Sequence, residues 1–415
     1  GTIDGDGQYV YLYTQSGGSI TDSSVLATGA GSYATLLVYN TGTGSISNSS
    51  ATATGTNGVA QVCASSFVCG GTGLGSITGT TVTSTQGTAS VYGTDIGGGT
   101  TVSAANTAWL TATAGSIAAS TAVGGLNATA TGTVTITEAD AVTLGNVSGA
   151  GVTLASTNGT ISGGSVSSIG AGNDVTLTAN GAGSNITGTK VNAADAATLT
   201  AANAITSVNV SAGGAATLTA TKGEITGVVN AATAALNAAT FIDVDTTVGT
   251  LAASAGGDIT VDETDGIVLA TISGANIDIG TTAGSISGGT VTANGAGTDV
   301  VLTAGGATSD IDGVTVTAPD TASVTAGRSV LNSTISAGTS ATVVATAGSL
   351  TNNTITGPTS LTLTAGGGSI TGAISTNAAT LTAGTFIDVD TTVNTLSATA
   401  AGDVTIDETD AVTLG

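Results

Sequence analysis

The chain has no histidine and no methionine, and only two prolines, two cysteines and three cations among 415 residues. Each scarcity excludes something. Without histidine the commonest general base is missing, and Lys190, Lys222 and Arg328 alone offer little to stabilise an oxyanion or a phosphate. The expectation is a non-catalytic chain. Three cations cannot neutralise a nucleic-acid backbone, so no DNA or RNA partner is expected. A formal charge of −23 would also be repelled by an anionic membrane surface. No apolar run reaches spanning length, so no membrane insertion is expected. Proline and lysine are too rare, and Val, Ile and Leu too regular, for a disordered chain. Glycine is abundant, at 65 residues, but lacks the three-residue period of collagen. The start at Gly1, with no signal-like segment, marks a processed product or a piece of a longer chain.

What is present is repetition. A shift of 125 lays Ser116–Asp195 on Phe241–Asp320. A shift of 145 lays Thr217–Ala270 on Thr362–Gly415. The offsets differ by 20, and the extra residues lie within 321–361, where Val324, Val330, Asn332, Thr334 and Ile335 recur as Val344, Leu350, Asn352, Thr354 and Ile355. An insertion that leaves both flanks in step is one whole structural turn. Residues 116–415 therefore read as long repeats (116–240, 241–385 and a partial 386–415). Residues 1–115 are less regular and hold every Tyr, Trp109, Phe67 and both Cys. Gly18-Ser-Ile20, Gly44-Ser-Ile46, Gly75-Ser-Ile77 and Gly115-Ser-Ile117 still recur there, spaced 26, 31 and 40. That segment reads as the same architecture with loop insertions.

Short alternating runs such as Val175-Thr-Leu-Thr178, Ala197-Thr-Leu-Thr200, Ala216-Thr-Leu-Thr219 and Leu361-Thr-Leu-Thr364 are strand-like, and no 3.6-residue stripe appears. Several short strands per 20 residues predict an all-β fold, a parallel β-helix or β-solenoid of about 20 residues per coil. Val, Leu and Ile would point inward and Thr, Ser and Asp outward, with Gly at the corners. The low aromatic content, 2%, suits a narrow interior. At ~4.8 Å per coil such a chain would form a rod on the order of 100 Å long.

The runs Ala255-Gly-Gly-Asp-Ile-Thr-Val261, Val300-Val-Leu-Thr-Ala-Gly-Gly306 and Gly159-Thr-Ile-Ser-Gly-Gly164 resemble the repeats of filamentous-haemagglutinin-type adhesins. The resemblance covers residues 116–415 and is one of repeat style. It implies a right-handed β-helical shaft on a secreted bacterial surface protein. The family's N-terminal secretion domain has no counterpart here: its Asn-Pro motifs are missing, and the prolines are Pro319 and Pro358.

Several residue groups could carry chemistry. Asp243, Asp245, Asp262, Glu263 and Asp265 form the densest acid group, and it returns as Asp388, Asp390, Asp407, Glu408 and Asp410. Asp262 lies 19 residues after Asp243, so carboxylates one coil apart would stack and repel. Calcium held by their oxygens would relieve the repulsion; the other reading is a solvated ridge that discourages aggregation. Asp4-Gly-Asp6-Gly is a weaker version of the same pattern. Cys63 and Cys69 would close a short disulfide loop in an oxidising compartment, or stand as two reduced thiols. Tyr9, Tyr11 and Tyr13 alternate with Val10 and Leu12, so one strand face carries three phenols, either as a contact surface for a subunit or glycan or as a patch covered by a loop. Outward pairs Thr176/Thr178, Thr198/Thr200, Thr217/Thr219 and Thr380/Thr382 would form a threonine array, as on ice-binding faces or simply by β-propensity, interrupted at Val301, Ala345 and Asn237.

The expectation is a secreted structural shaft, extracellular or at the cell surface, that stacks end-to-end into a homopolymer. An adhesive or carbohydrate-binding module that uses the tyrosine strand for a glycan or cell-surface ligand is the alternative. A polysaccharide-cleaving enzyme and an ice-binder rank behind.

Overall fold

The computed structural model describes residues 1–5, 9–15, 17–39, 43–65, 69 and 75–415. Asp6 and Phe67 lie outside the described residues. Among those described there are strands and corners and no helix. The chain divides into two compact units, Gly1–Gly214 and Ala215–Gly415. Each is a stack of parallel coils, a β-solenoid with about 19 residues per coil and about 21 turns in the described chain.

Alternation makes the strands. Val175–Ala179 buries Val175, Leu177 and Ala179 and turns Thr176 and Thr178 outward. The same phase repeats in the coil before, Val152–Ser156, and the coil after, Ala197–Ala201, and all three pair in parallel register. Identical inward residues therefore stack. In unit 1 one apolar column runs Ile20, Ile46, Ile77, Ile96, Ile117, Val134, Val152, Val175 and Ala197. Unit 2 has a further apolar column of Ile267, Ile286, Ile311, Val330, Leu350, Ile370 and Ile387. All these side chains are buried, and each contributes about 1.5–3 kcal/mol for its full-sized members.

The unit 1 column explains the uneven spacing of the Gly-Ser-Ile motifs. The gap of 40 between Ile77 and Ile117 is two coils, because Ile96 stands between them after an aspartate, Asp95, in place of serine. The corners also stack. A Cβ on Gly44 would lie 2.3 Å from the Gly18 carbonyl oxygen, so the glycine is required by the approach of the coil before it. Other corners use polar ladders. Ser329 Oγ accepts from the Ser349 amide at 3.2 Å, and Ser349 Oγ from the Ser369 amide at 3.1 Å. Asn332 and Asn352 adopt positive φ, and the Asn352 side chain donates to Asn332 Oδ1 at 3.1 Å.

The extra coil is present as such. Ser340–Ala345 pairs residue for residue with Ser360–Ala365, each partner 20 further on. One sequence match is out of phase, however. Val324 sits against Val343, not Val344, because the step there is 19. The remaining residue is absorbed at the corner before Val330, which pairs with Leu350. Val344 consequently faces outward and Ala345 inward, the usual effect of a one-residue slip.

Two substitutions test the stacking. Ile311→Ala, between Ile286 and Val330, should cost about 2–5 kcal/mol, whereas exposed Thr315→Ala should stay within about 0.5 kcal/mol. Urea unfolding followed by circular dichroism measures both.

Candidate functional site

The three tyrosines of strand Tyr9–Gln15 do share one outward face, and they are exposed: 59% for Tyr9, 49% for Tyr11 and 60% for Tyr13. The parallel register extends this face over successive coils. Tyr9 lies against Tyr33, and Gln15 against Tyr39, in strand Tyr33–Tyr39. Cys63 of strand Val59–Ser65 lies against Tyr92 of strand Thr88–Gly93. Ser90 of that strand lies against Trp109, which is 44% exposed. All six tyrosines and the one tryptophan of the sequence thus occupy one face of one sheet. The Tyr9 ring runs parallel to Tyr11 at 6.1 Å and to Tyr33 at 5.1 Å between centroids. Partial burial, then the neighbouring Tyr9 and Tyr33 phenols, push the Tyr11 hydroxyl above its ordinary value, so it stays a proton donor. The sequence showed three of these rings; the other four required the register.

Cys63 and Cys69 are joined in a disulfide, with Cα atoms 5.4 Å apart. Cys63 belongs to the outward phase of its strand yet is fully buried.

The acid groups are arranged differently from the spacing argument. The coil step at this place is 17, so Asp243 sits against Thr260, and it is Asp245 that sits against Asp262. The second copy repeats this, with Asp388 against Thr405 and Asp390 against Asp407. Asp278 pairs with Thr260 from the next coil; burial and then the Asp262 charge raise its carboxyl above the usual range. Asp265 and Asp410 lie at the following corner, beside Glu263 and Glu408. Of the eight aspartates considered for calcium, Asp245/Asp262 and Asp390/Asp407 stack as pairs, Asp243 and Asp388 sit against threonines, and Asp265 and Asp410 lie at corners. Among the described residues no group of three or more His, Cys, Asp or Glu is placed to hold a metal ion.

Glu263 does not belong to the outer ridge. It occupies the inward phase of Ile259–Glu263 and is buried. Thr246 donates to its carboxylate at 2.8 Å, and the Val248 and Thr264 amides donate at 3.1 and 3.0 Å. Glu138 is held in the same way by the Thr121 hydroxyl at 2.6 Å and the Val123 and Ala139 amides at 3.0 and 3.1 Å. Glu408 repeats the set with Thr391 and Val393 at 2.7 and 3.2 Å. The reason is local. Ile117–Ala130 pairs with the next coil through Thr121 and resumes at Gly125, so the Val123 amide has no ladder partner. The glutamate supplies the missing acceptor at a corner the backbone cannot close. Two signals in the sequence could have revealed this: the inward phase of the fifth strand residue, and a threonine 17 residues earlier in each copy.

Enclosure sets the protonation of these groups. Burial, opposed by the Thr121 and Val123 hydrogen bonds and aided by Asp140, raises Glu138 to about 7. Burial also raises Glu263. Strand Val134–Glu138 is covered by Val152–Ser156, and Ile259–Glu263 by Ile277–Thr281. Val404–Glu408 is more exposed, and there the residual burial, which pushes Glu408 upward, is outweighed by the Thr391 and Val393 donors, leaving it lowered.

Open clefts lie outside the same corner. In unit 1 a cleft of about 490 Å³ is lined by Asn106, Thr107, Gly124, Gly125 and Asn127. In unit 2 one of about 380 Å³ is lined by Asn377, Thr392, Asn394 and Asp410. Gly124 and Asn394 are equivalent positions of the repeat.

The threonine array is larger than Thr-Leu-Thr runs indicate. In unit 2, Thr271, Thr290, Thr315, Thr334 and Thr354 form one column, and Ser273, Thr292, Thr317, Ser336 and Thr356 another beside it. Val301 and Asn237 interrupt other outward columns as expected, but Ala345 is inward and interrupts none.

No known protein family, curated protein or solved structure matches this chain.

Glu138 gives a pH prediction. Its folded value lies above the ordinary 4.5, so the folded state holds the extra proton. Its contribution to stability is fully present below about 4.5 and is lost as pH rises through about 7. Glu138→Gln should flatten the fall in urea midpoint between pH 5 and pH 8. An unchanged slope would place the titrating group elsewhere.

Proposed function

We propose that this chain is a secreted, non-catalytic structural β-solenoid. It serves as a stalk at the cell surface or in an extracellular matrix, in the manner of filamentous-haemagglutinin-type shafts. One observation carries this reading. A complete coil, Ser340–Ala345 with its corners, has entered one copy of the repeat while the strands on either side keep their pairing. A catalytic constellation built across coils would be broken by such a change; a scaffold only lengthens. The disulfide favours an oxidising, extracellular setting. The outward rows of Thr, Ser and Asp fit a solvated scaffold.

Growth of such a fold needs only another coil of parallel strands. Among the described residues Thr2–Gly5 pairs with Ser24–Ala27 alone, and Val404–Glu408 with Ile387–Ala400 alone. The outer edge of each would be met either by further coils of a longer chain or, in the version proposed for assembly, by a second copy stacked head to tail.

Two experiments test this. Deleting residues 340–359 removes one coil and should leave a folded protein with its β-sheet circular dichroism intact. Deleting 340–349, half a coil, should unfold the stack around it. Electron microscopy of purified material should show filaments that lengthen with concentration, and a monodisperse monomer at every concentration would overturn the end-to-end assembly.

A further inference from the structure

We infer that the aromatic face of unit 1 is a binding surface for an uncharged polysaccharide. Three observations point to it. The first is concentration. Every tyrosine and the tryptophan of the chain stand on this face, while Phe241 and Phe386 stand singly on other coils. Large exposed rings gathered in one place are the signature of an interaction surface, because leaving that much apolar area in water is unfavourable. The second is geometry. The Tyr9, Tyr11 and Tyr33 planes lie within 6° and 17° of one another, so they present one orientation rather than a disordered cluster. The rings stand on four of five successive coils, over roughly 20 Å at ~4.8 Å per step, with Gln61 and the buried Cys63 on the coil between, a span that suits an extended chain more than a small molecule.

The third observation is charge. The strands that carry this face, Tyr9–Gln15, Tyr33–Tyr39, Val59–Ser65 and Thr88–Gly93, together with 107–111, contain no Asp, Glu, Lys or Arg. A cationic partner would find its counter-charges elsewhere on the molecule, and a polyanion would be repelled by the net charge. An uncharged partner remains.

A sugar ring has an apolar C–H face and a polar rim. Tyrosine and tryptophan planes match the first, at little cost in side-chain entropy. The Gln15 and Gln61 amides, the Ser90 and Thr111 hydroxyls and the Tyr11 phenol match the second. This surface is independent of whether copies stack end to end.

Affinity electrophoresis of the full chain in gels containing soluble mixed-linkage β-glucan or dextran tests the inference, with alginate as the anionic comparison. Retardation by a neutral glucan is expected, and it should survive added salt. The triple variant Tyr9→Ser/Tyr11→Ser/Tyr13→Ser, and Trp109→Ser separately, should each weaken it by roughly tenfold or more. These side chains are exposed, so circular dichroism should be unchanged. Trp109 is the single tryptophan, so its emission should shift on titration with the same glucan. No retardation in either neutral gel would overturn the inference, as would retardation that the variants leave intact or binding to alginate alone. A glucan-inert protein whose sedimentation changes in the tyrosine variant would show that a second copy occupies the face.

Discussion

Register between successive coils is the constraint on which the rest depends. Backbone groups of each coil find their partners in the coil before and after, so a residue's neighbours lie about one coil away in sequence rather than beside it. From that one requirement come the apolar columns at Ile20–Ala197 and Ile267–Ile387, the outward columns of threonine, and the gathering of the aromatic rings. It also decides which changes in length are tolerated. A full coil can be added at 340–359, and a single residue only where a corner absorbs it, as before Val330.

Where the ladder cannot be completed, side chains take over. The corner after Thr121 leaves the Val123 amide without a strand partner, and Glu138 turns inward to accept it. Three copies use the same solution, with Glu263 and Glu408 in the equivalent places. A carboxylate inside an apolar stack is unfavourable by itself, but an orphaned amide there is also costly, and the hydrogen-bonded pair is better than either alone. Unit 2's Asp310 follows similar logic at another corner. It accepts from the Arg328 guanidinium and from the Ser329 amide, and the guanidinium holds its carboxyl below the usual range.

Much of the fold was legible in the residues. Alternation around Val175-Thr-Leu-Thr178, the recurrence of Gly-Ser-Ile and the 20-residue difference between repeats led to parallel coils, and the parallel coils are there. The sites were less legible, because coil length varies. A uniform step near 20 would stack Asp243 under Asp262, whereas the actual step of 17 brings Asp245 there. Charge alone groups Glu263 with the outer ridge, although Ile259 and Val261 mark its position as inward. Trp109 could not be joined to Tyr9 from spacing alone, because coils of unequal length separate them.

The sequence by itself determined the secondary structure, the inward and outward phase of most strands, and the existence of a stacking repeat. Those properties follow from period-two alternation and from self-similarity, both of which are local or periodic. The tertiary structure alone decided which outward residues are neighbours. Lateral proximity depends on the summed lengths of the corners between two strands, and one residue more or less moves every later contact by a position.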